Sequence, residues 1–436
     1  MKLLSALAVL LAALMVPVQS PAQDALKPPA LSVLYAFTGG ADGQIPTVYE
    51  QLALDREGNL YGVATGGTPP NDACSYGCGL VFKIDRRGKE STLHAFTTAP
   101  PDGLVPFAGV TVDSWGNIYG TTAEGGTSQL GAGTIFKINR EGEESIAHDF
   151  KGEPDGGNPS FAEGLTLGWN GDLYGTTQGG GTGTACPGGC GTVFKLDRNG
   201  KETVLYSFND SVPGGPDPFG DLALDEEGNL YGTTSAGGAY GTESGPGWGT
   251  IFKVDPDGHK TVLYSFTGGV DGAFPRGVIL GSKGTLYGVT QQGGNAPGYT
   301  GNGVVFKLDR EGKYSVLYTF TGGADGGQPI GQLLLIGNDL YGTTFEGGDL
   351  LDTNCASYGG CGVVYKLVPN GKETVLYTFT GFADGDNPIG GLIRDAAGNL
   401  FGITEFGGDL ASQNPLCGGF GCGVVYMLSP ARSKDK

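Results

Sequence analysis

The chain is built from short stretches rich in apolar and aromatic residues, separated by clusters of Gly, Asp and Asn. One region shows the arrangement in full, with FGDLALD (219–225), NLYGTT (229–234), GTIFKVD (249–255) and KTVLYSF (260–266). Leucine, β-branched and aromatic side chains bounded by turn residues predict β-strands. No comparable stretch has a helical period with capping residues, so we expect an all-β fold.

These four predicted strands form a unit that recurs along the chain. An aromatic residue followed by glycine marks the second strand of each unit, and successive copies lie 54 to 60 residues apart. Four antiparallel strands in each of seven units predict a seven-bladed β-propeller. A linear β-solenoid is the alternative, but its coils are usually shorter and do not contain two hairpins each. The aromatic markers are Tyr61, Tyr119, Tyr174, Tyr231, Tyr287, Tyr341 and Phe401.

The two ends of the chain indicate how the ring closes. Residues 31–37 (LSVLYAF) match the fourth strand of a unit, whereas residues 423–428 (GVVYML) match the third strand and end the last unit. We therefore expect the propeller to cover residues 31–428, with the N-terminal strand closing the last blade. This pairing would cover sheet edges that otherwise favour aggregation.

The segment before the first strand has the features of a signal peptide. A basic residue is followed by an apolar run from Leu3 to Val18 and then by small residues. We predict cleavage after Ala22, which gives a signal peptide at 1–22, a linker at 23–30 and a tail at 429–436. The prediction is a secreted protein, periplasmic or extracellular, with no later membrane span; an uncleaved anchor is the alternative.

Composition narrows the range of partners. The formal net charge is −19, which argues against nucleic-acid phosphates or an anionic membrane. The 84 glycines recur in register with the strands, so we interpret them as turn residues and not as a sign of a flexible chain. We expect a monomer.

The motifs resemble the GloVer tandem-repeat family of exported bacterial proteins. The resemblance rests on GNLYGTT (228–234), a following Gly-Gly, GTVFKLD (191–197), NGKETVLYSF (199–208) and a GG-DG-P segment between units. It covers residues 31–428 and implies an exported β-propeller-like repeat protein. The resemblance implies no catalytic residues for this chain.

The strand order assigns the loops to two faces. Turns between strands one and two and between strands three and four form a tight-turn face. Longer loops between strands two and three, and between strand four and the next blade, form a long-loop face where we expect any binding site. All 8 cysteines fall in the loops between strands two and three. Their local spacing predicts the disulfides Cys74–Cys78, Cys186–Cys190, Cys355–Cys361 and Cys417–Cys422, with a metal site as the alternative.

An aspartate recurs in the segment between blades. Repetition in every unit favours a structural turn role, because Asp-Gly is a turn signal. Calcium held by carboxylates and carbonyls is the alternative, although the segment lacks the dense acid spacing of an EF-hand loop. The residues are Asp42, Asp102, Asp155, Asp217, Asp271, Asp325 and Asp384.

The second-to-third-strand loops of blades six and seven differ most from the others. Acids beside aromatic residues suit a sugar or a cationic ligand. We therefore predict a ligand site there, and a solvated acidic rim that aids solubility is the alternative. The predicted acceptors are Glu346, Asp349, Glu405 and Asp409, and the predicted stacking residues are Phe345 and Phe406.

The sequence contains no evident catalytic constellation. His94 and His148 stand where other blades have tyrosine, so we interpret them as packed outer-strand side chains, and a nucleophile–histidine pair is not indicated. We expect an exported binding or scaffold module for a glycan, peptide or surface protein, without a cofactor unless calcium binds. The alternative is a carboxylate- or calcium-dependent hydrolase or lyase acting on carbohydrate or a lactone.

Overall fold

The structure is a computed structural model in which part of the chain is described. The described residues are 29–46, 51–67, 74, 77–128, 131–159, 164–184, 186–209, 217–240, 247–351, 355, 359–408, 417 and 420–430. The predicted signal peptide, most of the predicted linker, residues 431–436 of the predicted tail, and Asp409 lie outside these ranges.

The described strands include seven antiparallel sheets of four or five strands, one for each predicted blade, so the seven-bladed β-propeller is confirmed. In blades one to six the strands are paired in chain order, and in blade seven the N-terminal strand pairs with the last strand of the chain. Blade one contains the strands Ala53–Leu54, Leu60–Thr65, Leu80–Ile84 and Glu90–Ala95. Blade two contains Thr111–Val112, Ile118–Thr122, Thr134–Ile138 and Glu144–Asp149. Blade three contains Thr166–Leu167, Leu173–Thr177, Thr192–Leu196 and Glu202–Ser207.

Blades four to seven follow the same plan. Blades four and five contain Pro218–Leu224, Leu230–Thr234, Thr250–Val254 and Lys260–Ser265, then Ala273–Leu280, Leu286–Gln292, Val304–Leu308 and Tyr314–Thr319. Blade six contains Leu334–Ile336, Asp339–Thr344, Val363–Leu367 and Glu373–Thr378, and blade seven contains Asp386–Arg394, Leu400–Phe406, Val424–Ser429 and Ala30–Ala36.

The predicted closure of the ring is also confirmed. The N-terminal strand Ala30–Ala36 runs antiparallel to Val424–Ser429, with Leu31 opposite Leu428 and Val33 opposite Tyr426. The third strand of the last blade, Val424–Ser429, is therefore paired on both sides, with Leu400–Phe406 and with the N-terminal strand.

Tight turns at one face follow from Asp and Gly at fixed positions. Asp225 Oδ1 accepts the backbone N–H groups of Glu227 and Asn229, at 3.0 and 2.8 Å. Gly228 has φ 85°, a left-handed conformation that a side chain disfavours. The aspartate carboxylate thus takes the place of water as hydrogen-bond acceptor for the turn amides, and glycine allows the chain to reverse direction.

Aromatic pairs join each blade to the next. The buried phenylalanine that follows each fourth strand meets the aromatic ring of the next blade's third strand edge-on, as in Phe37–Phe82, where the ring centroids are 5.2 Å apart. This arrangement also explains the glycine after each aromatic marker. A β-carbon at Gly120 would lie 2.5 Å from Cζ of Phe136, too close for any larger residue without movement of the ring. The other pairs are Phe96–Phe136, Phe150–Phe194, Phe208–Phe252, Phe266–Phe306, Phe320–Tyr365 and Phe379–Tyr426.

The first strands depart from the predicted regularity. In blades one to three they are only two residues long, and short pairings outside the four-strand plan occur at Gln44–Pro46 and between Gly103–Leu104 and Glu124–Gly125. In blades four, five and seven the first strand contains the inter-blade proline and is 7, 8 and 9 residues long, with a shift of register after the proline. Elsewhere the described part of the chain has two three-residue 3-10 turns, Ser282–Gly284 and Gly298–Thr300, and no helix in it meets the length and hydropathy of a membrane span.

Candidate functional site

The residue before six of the seven inter-blade prolines has an unusual backbone conformation. Its φ lies between 51° and 64°, although none of the six is glycine. Its N–H donates to a carbonyl at the end of the preceding long loop, as from Asn387 to Cys361 at 3.1 Å. This position is therefore fixed at the long-loop end of the first strands, while its side chain differs from blade to blade. The six residues are Val105, Asn158, Asp217, Phe274, Gln328 and Asn387.

Asp217 belongs to this position, so its grouping with the repeated inter-blade aspartates was wrong. Its carbonyl accepts the N–H of Ser235, just as the carbonyl of Asn158 accepts that of Gln178. The sequence Gly-Gly-Pro-Asp before blade four matches the Gly-Gly-x-Asp pattern found before other blades, and Asp217 was therefore assigned to the repeated inter-blade aspartates.

Polar side chains link blades five, six and seven along this end of the propeller. Arg276 Nη2 donates to Gln291 Oε1, and Gln291 Nε2 donates to Gln328 Oε1 at 3.2 Å. The backbone N–H of Phe345 donates to the carbonyl of Gln328, and Asn387 Nδ2 donates to the carbonyl of Phe345 at 2.7 Å. We call the set Arg276, Gln291, Gln328, Glu346, Asp386, Asn387 and Glu405 the polar belt.

Burial perturbs the carboxyl groups of the polar belt. Burial, followed by the negative charge of Asp386, raises the pKa of Glu405 to about 7. Burial also raises the pKa of Asp386 to about 6, and this side chain is 3% exposed. For Glu346, burial raises the pKa while a hydrogen bond with Gln328 opposes the shift. The belt therefore contains two neighbouring carboxyl groups, Glu405 and Asp386, whose pKa values burial raises toward neutral pH.

Two acceptor atoms of the belt are buried and lack a donor. Asp386 Oδ1 and Asn387 Oδ1 have no hydrogen-bond partner among the described residues. A buried polar atom without a partner costs about 1–3 kcal/mol, so such atoms are uncommon unless a ligand or water satisfies them. The belt can accept hydrogen bonds through these atoms and through Glu405, and Arg276 places a cation 4.2 Å from the ring of Phe219.

The predicted site residues divide into several environments. Phe345, Glu346 and Glu405 lie along the belt, partly buried. Phe406 meets Phe420 edge-on, with centroids 6.2 Å apart. Asp349 is exposed and accepts the N–H of Leu351 at 2.9 Å, which is a turn role.

Glu346 and Glu405 are not equivalent positions. Thr344 Oγ1 donates to the carbonyl of Glu346, and the matching Thr404 Oγ1 donates to the carbonyl of Phe406. Glu346 therefore corresponds to Phe406, and Glu405 stands one residue earlier. Because alternate strand residues point to opposite faces, the two acids do not form one symmetric pair. Among the described residues, the charge that acts on Glu405 comes from Asp386.

Arg276, Gln291, Gln328, Asp386 and Asn387 were not predicted as site residues. The available signal was the position before each inter-blade proline, where the residue type varies between blades while the flanking motif does not. The positive φ that gives this position its significance is visible only in the structure.

A family profile described as the Gloeobacter/Verrucomicrobia repeat matches residues 70–296 and 242–435. The chain belongs to this repeat family. The resemblance inferred from the GNLYGTT and NGKETVLYSF motifs is thereby confirmed. A comparison with curated proteins finds no significant match.

Several solved structures are weakly similar to this member of the repeat family. A gluconolactonase from Xanthomonas campestris has a TM-score of 0.43 at 13% identity, covering 93% of this chain and 90% of that chain. A PQQ-bound aldose sugar dehydrogenase from Streptomyces coelicolor has a TM-score of 0.41 at 11% identity, covering 92% and 100%. The calcium-binding protein regucalcin from Agrobacterium tumefaciens has a TM-score of 0.41 at 15% identity, covering 81% and 96%.

Local disulfides brace the long loops of four of the family repeats. The four predicted pairs are confirmed, with Cα atoms 4.9 to 5.1 Å apart. The loop closed by Cys355–Cys361 supplies the carbonyl that accepts the N–H of Asn387, so it supports the polar belt directly. Disulfides of this kind indicate an oxidising compartment.

The tight-turn face carries features that the repeat pattern did not reveal. Trp115 and Trp169 are 59% and 72% exposed on turns of blades two and three. A cavity of about 340 Å³ between blades one and two is lined by Trp115 together with Arg56, Glu57 and Arg140. On the long-loop face, a cavity of about 440 Å³ in blade two is lined by Glu124 and its neighbours. The two faces therefore both offer concave surface.

Proposed function

We propose that the protein is an exported, monomeric binding module and that its polar belt binds a neutral glycan. The observation that supports this most strongly is a pair of buried acceptors, Asp386 Oδ1 and Asn387 Oδ1, beside the buried carboxyl of Glu405; neither has a hydrogen-bond partner within the described part of the chain. Sugar hydroxyls donate to such acceptors without bringing a charge into a buried site. The loop braced by Cys355–Cys361 limits the ordering cost of binding.

A thermal-shift panel of neutral oligosaccharides on the mature protein tests this proposal. A ligand that binds only the native state raises the melting temperature in a concentration-dependent way. Glu405→Gln keeps the size of the side chain but replaces the carboxyl group, so we expect affinity to fall about tenfold. The matched control is Glu124→Gln, because Glu124 is an exposed acid in the corresponding loop of blade two. Equal affinity of the Glu405 variant and the control would contradict the belt as the glycan site.

A second candidate function is hydrolysis of a glycoside or lactone at the same belt. It is favoured by the pKa values of about 7 and about 6 for the neighbouring Glu405 and Asp386, since groups that titrate near the working pH suit general acid–base catalysis. Incubation with aryl glycosides and with aldonolactones separates the two functions. Turnover that Glu405→Gln abolishes and Glu124→Gln preserves would replace the binding-module proposal, whereas binding without turnover supports it.

A further inference from the structure

Six of the seven junctions between neighbouring blades repeat one arrangement on the outer strands. The fourth-strand residue two positions before the buried phenylalanine reaches the inter-blade aspartate, as Tyr35 OH donates to Asp42 Oδ2 at 2.9 Å. The same bond is made by Tyr264, Tyr318 and Tyr377 to Asp271, Asp325 and Asp384. The first residue of the next blade's fourth strand completes each junction and varies, for example Glu90, Lys260 or Tyr314.

Histidine replaces the tyrosine in two consecutive junctions. Nε2 of His94 lies 3.2 Å from Asp102 Oδ1, and Nε2 of His148 lies 3.2 Å from Asp155 Oδ2. Each imidazole ring packs edge-on against the phenylalanine two residues later, with centroids 4.8 and 4.7 Å apart, which fixes its orientation. The predicted packing of the two histidines is thus present, but the rings also face carboxylates. Unlike a tyrosine hydroxyl, a neutral imidazole nitrogen is a good ligand for a transition metal.

A glutamate from the following blade completes both histidine junctions. The ligand atoms of His94, Asp102 and Glu144 all lie within 4.8 Å of one another, and those of His148, Asp155 and Glu202 do so as well. Oε1 of Glu144 and Oε1 of Glu202 are buried and accept no hydrogen bond from an amide, hydroxyl or cationic donor among the described residues.

Within each cluster the carboxylate oxygens of the aspartate and the glutamate also lie within 4.8 Å of each other. Two carboxylates at this separation repel each other, and a cation between them offsets the repulsion. With a neutral imidazole, the two acids give each junction a formal charge of −2, which a divalent cation balances. The separation between histidine and aspartate also fits. Zn–N and Zn–O bonds of about 2.0–2.2 Å place tetrahedral ligand atoms about 3.3 Å apart, close to the observed separation of Nε2 and carboxylate oxygen.

We propose that each histidine junction binds one divalent transition-metal ion, with Zn²⁺ preferred, through the histidine Nε2 and one oxygen each from the aspartate and the glutamate. The side chains of His94 and Asp102 are 23% and 12% exposed, so an ion can enter from solvent and retain water as a further ligand. Because the ligands come from two neighbouring blades, the ions would join blade one to blade two and blade two to blade three. The sites lie on the outer strands and do not depend on the function of the polar belt.

The repeat itself provides variants that should fold. Tyrosine is the residue at this position in the other junctions, so His94→Tyr and His148→Tyr restore a side chain whose hydroxyl donates to the aspartate. We expect chelator-treated wild-type protein to bind two Zn²⁺ ions in isothermal titration calorimetry, each single variant to bind one, and the double variant to bind none. Zn²⁺ should raise the melting temperature of the wild type and leave that of the double variant unchanged.

A third variant separates these junctions from the remaining histidine. His259 lies with Asp255 and Asp257 in an exposed turn, which is another possible source of zinc binding. His259→Asn should leave the stoichiometry at two. The proposal is overturned if wild-type protein binds no Zn²⁺, or if the folded double variant still binds two ions. In either case His94 and His148 serve only as donors in place of tyrosine.

Discussion

Replacement of Glu405 by glutamine should change how stability depends on pH. The pKa of Glu405 is raised from 4.5 to about 7 in the folded protein, chiefly by burial. A raised folded-state pKa means that the folded protein binds more protons than the unfolded chain between these values. The contribution of Glu405 to the free energy of unfolding is therefore fully present below about pH 4.5 and is lost as the pH rises through about 7. The glutamine side chain cannot ionise, so the variant should not show this loss.

The size of the effect follows from the shift. Each unit of pKa corresponds to about 1.4 kcal/mol, so the wild type should lose about 3 kcal/mol relative to the variant between pH 4 and pH 8.5. For a cooperative ring of about 400 residues, an unfolding entropy of about 2.1 cal/mol/K per residue converts this into about 4 °C. The variant should match the wild type at pH 4 and melt about 4 °C higher at pH 8.5.

Thermal unfolding followed by circular dichroism across this pH range, at constant ionic strength, measures the difference. Glu124→Gln is the control, because it removes an exposed carboxyl group from the corresponding loop of blade two. If the melting curves of Glu405→Gln and wild type run parallel at every pH, Glu405 is not buried as described and the belt loses its main electrostatic feature.

Three further predictions concern the fold and its braces. Deletion of residues 23–38 should abolish the single cooperative unfolding transition, and a truncated protein as stable as the parent would contradict ring closure. Phe37→Ala should lower the unfolding free energy by about 3–5 kcal/mol, whereas Val33→Ala, at a residue 38% exposed, should lower it far less. Joint replacement of Cys355 and Cys361 by Ser should cost about 2 kcal/mol, and non-reducing peptide mapping should recover only the four local pairs.

Features set by short-range pattern could be read from the sequence. The number of blades follows from the period of the aromatic-glycine markers, and closure follows from the strand types of residues 31–37 and 423–428. The disulfides could be predicted because each pair lies within a single loop, with sequence separations of 4 to 6 residues. In each case, the deciding interaction joins residues within one repeat or repeats identically around the ring.

The candidate site could be predicted only in part. The residues predicted for the site include Glu405 and Glu346, but grouping these two acids ignored a one-residue offset between them. In a strand such an offset reverses the face to which a side chain points. Asp386 was missed, because its importance comes from burial beside Glu405 and not from any motif.

Contacts between blades were decided by the tertiary structure alone. His94 meets Glu144, which lies 50 residues later in the chain, only because the outer strands of neighbouring blades pack side by side. Gln291 and Gln328 likewise meet across a blade boundary, at the end of first strands whose left-handed residues precede proline. The period of the repeat determines how many blades form, whereas the angle and depth at which blades pack determine which of their differing side chains share a site.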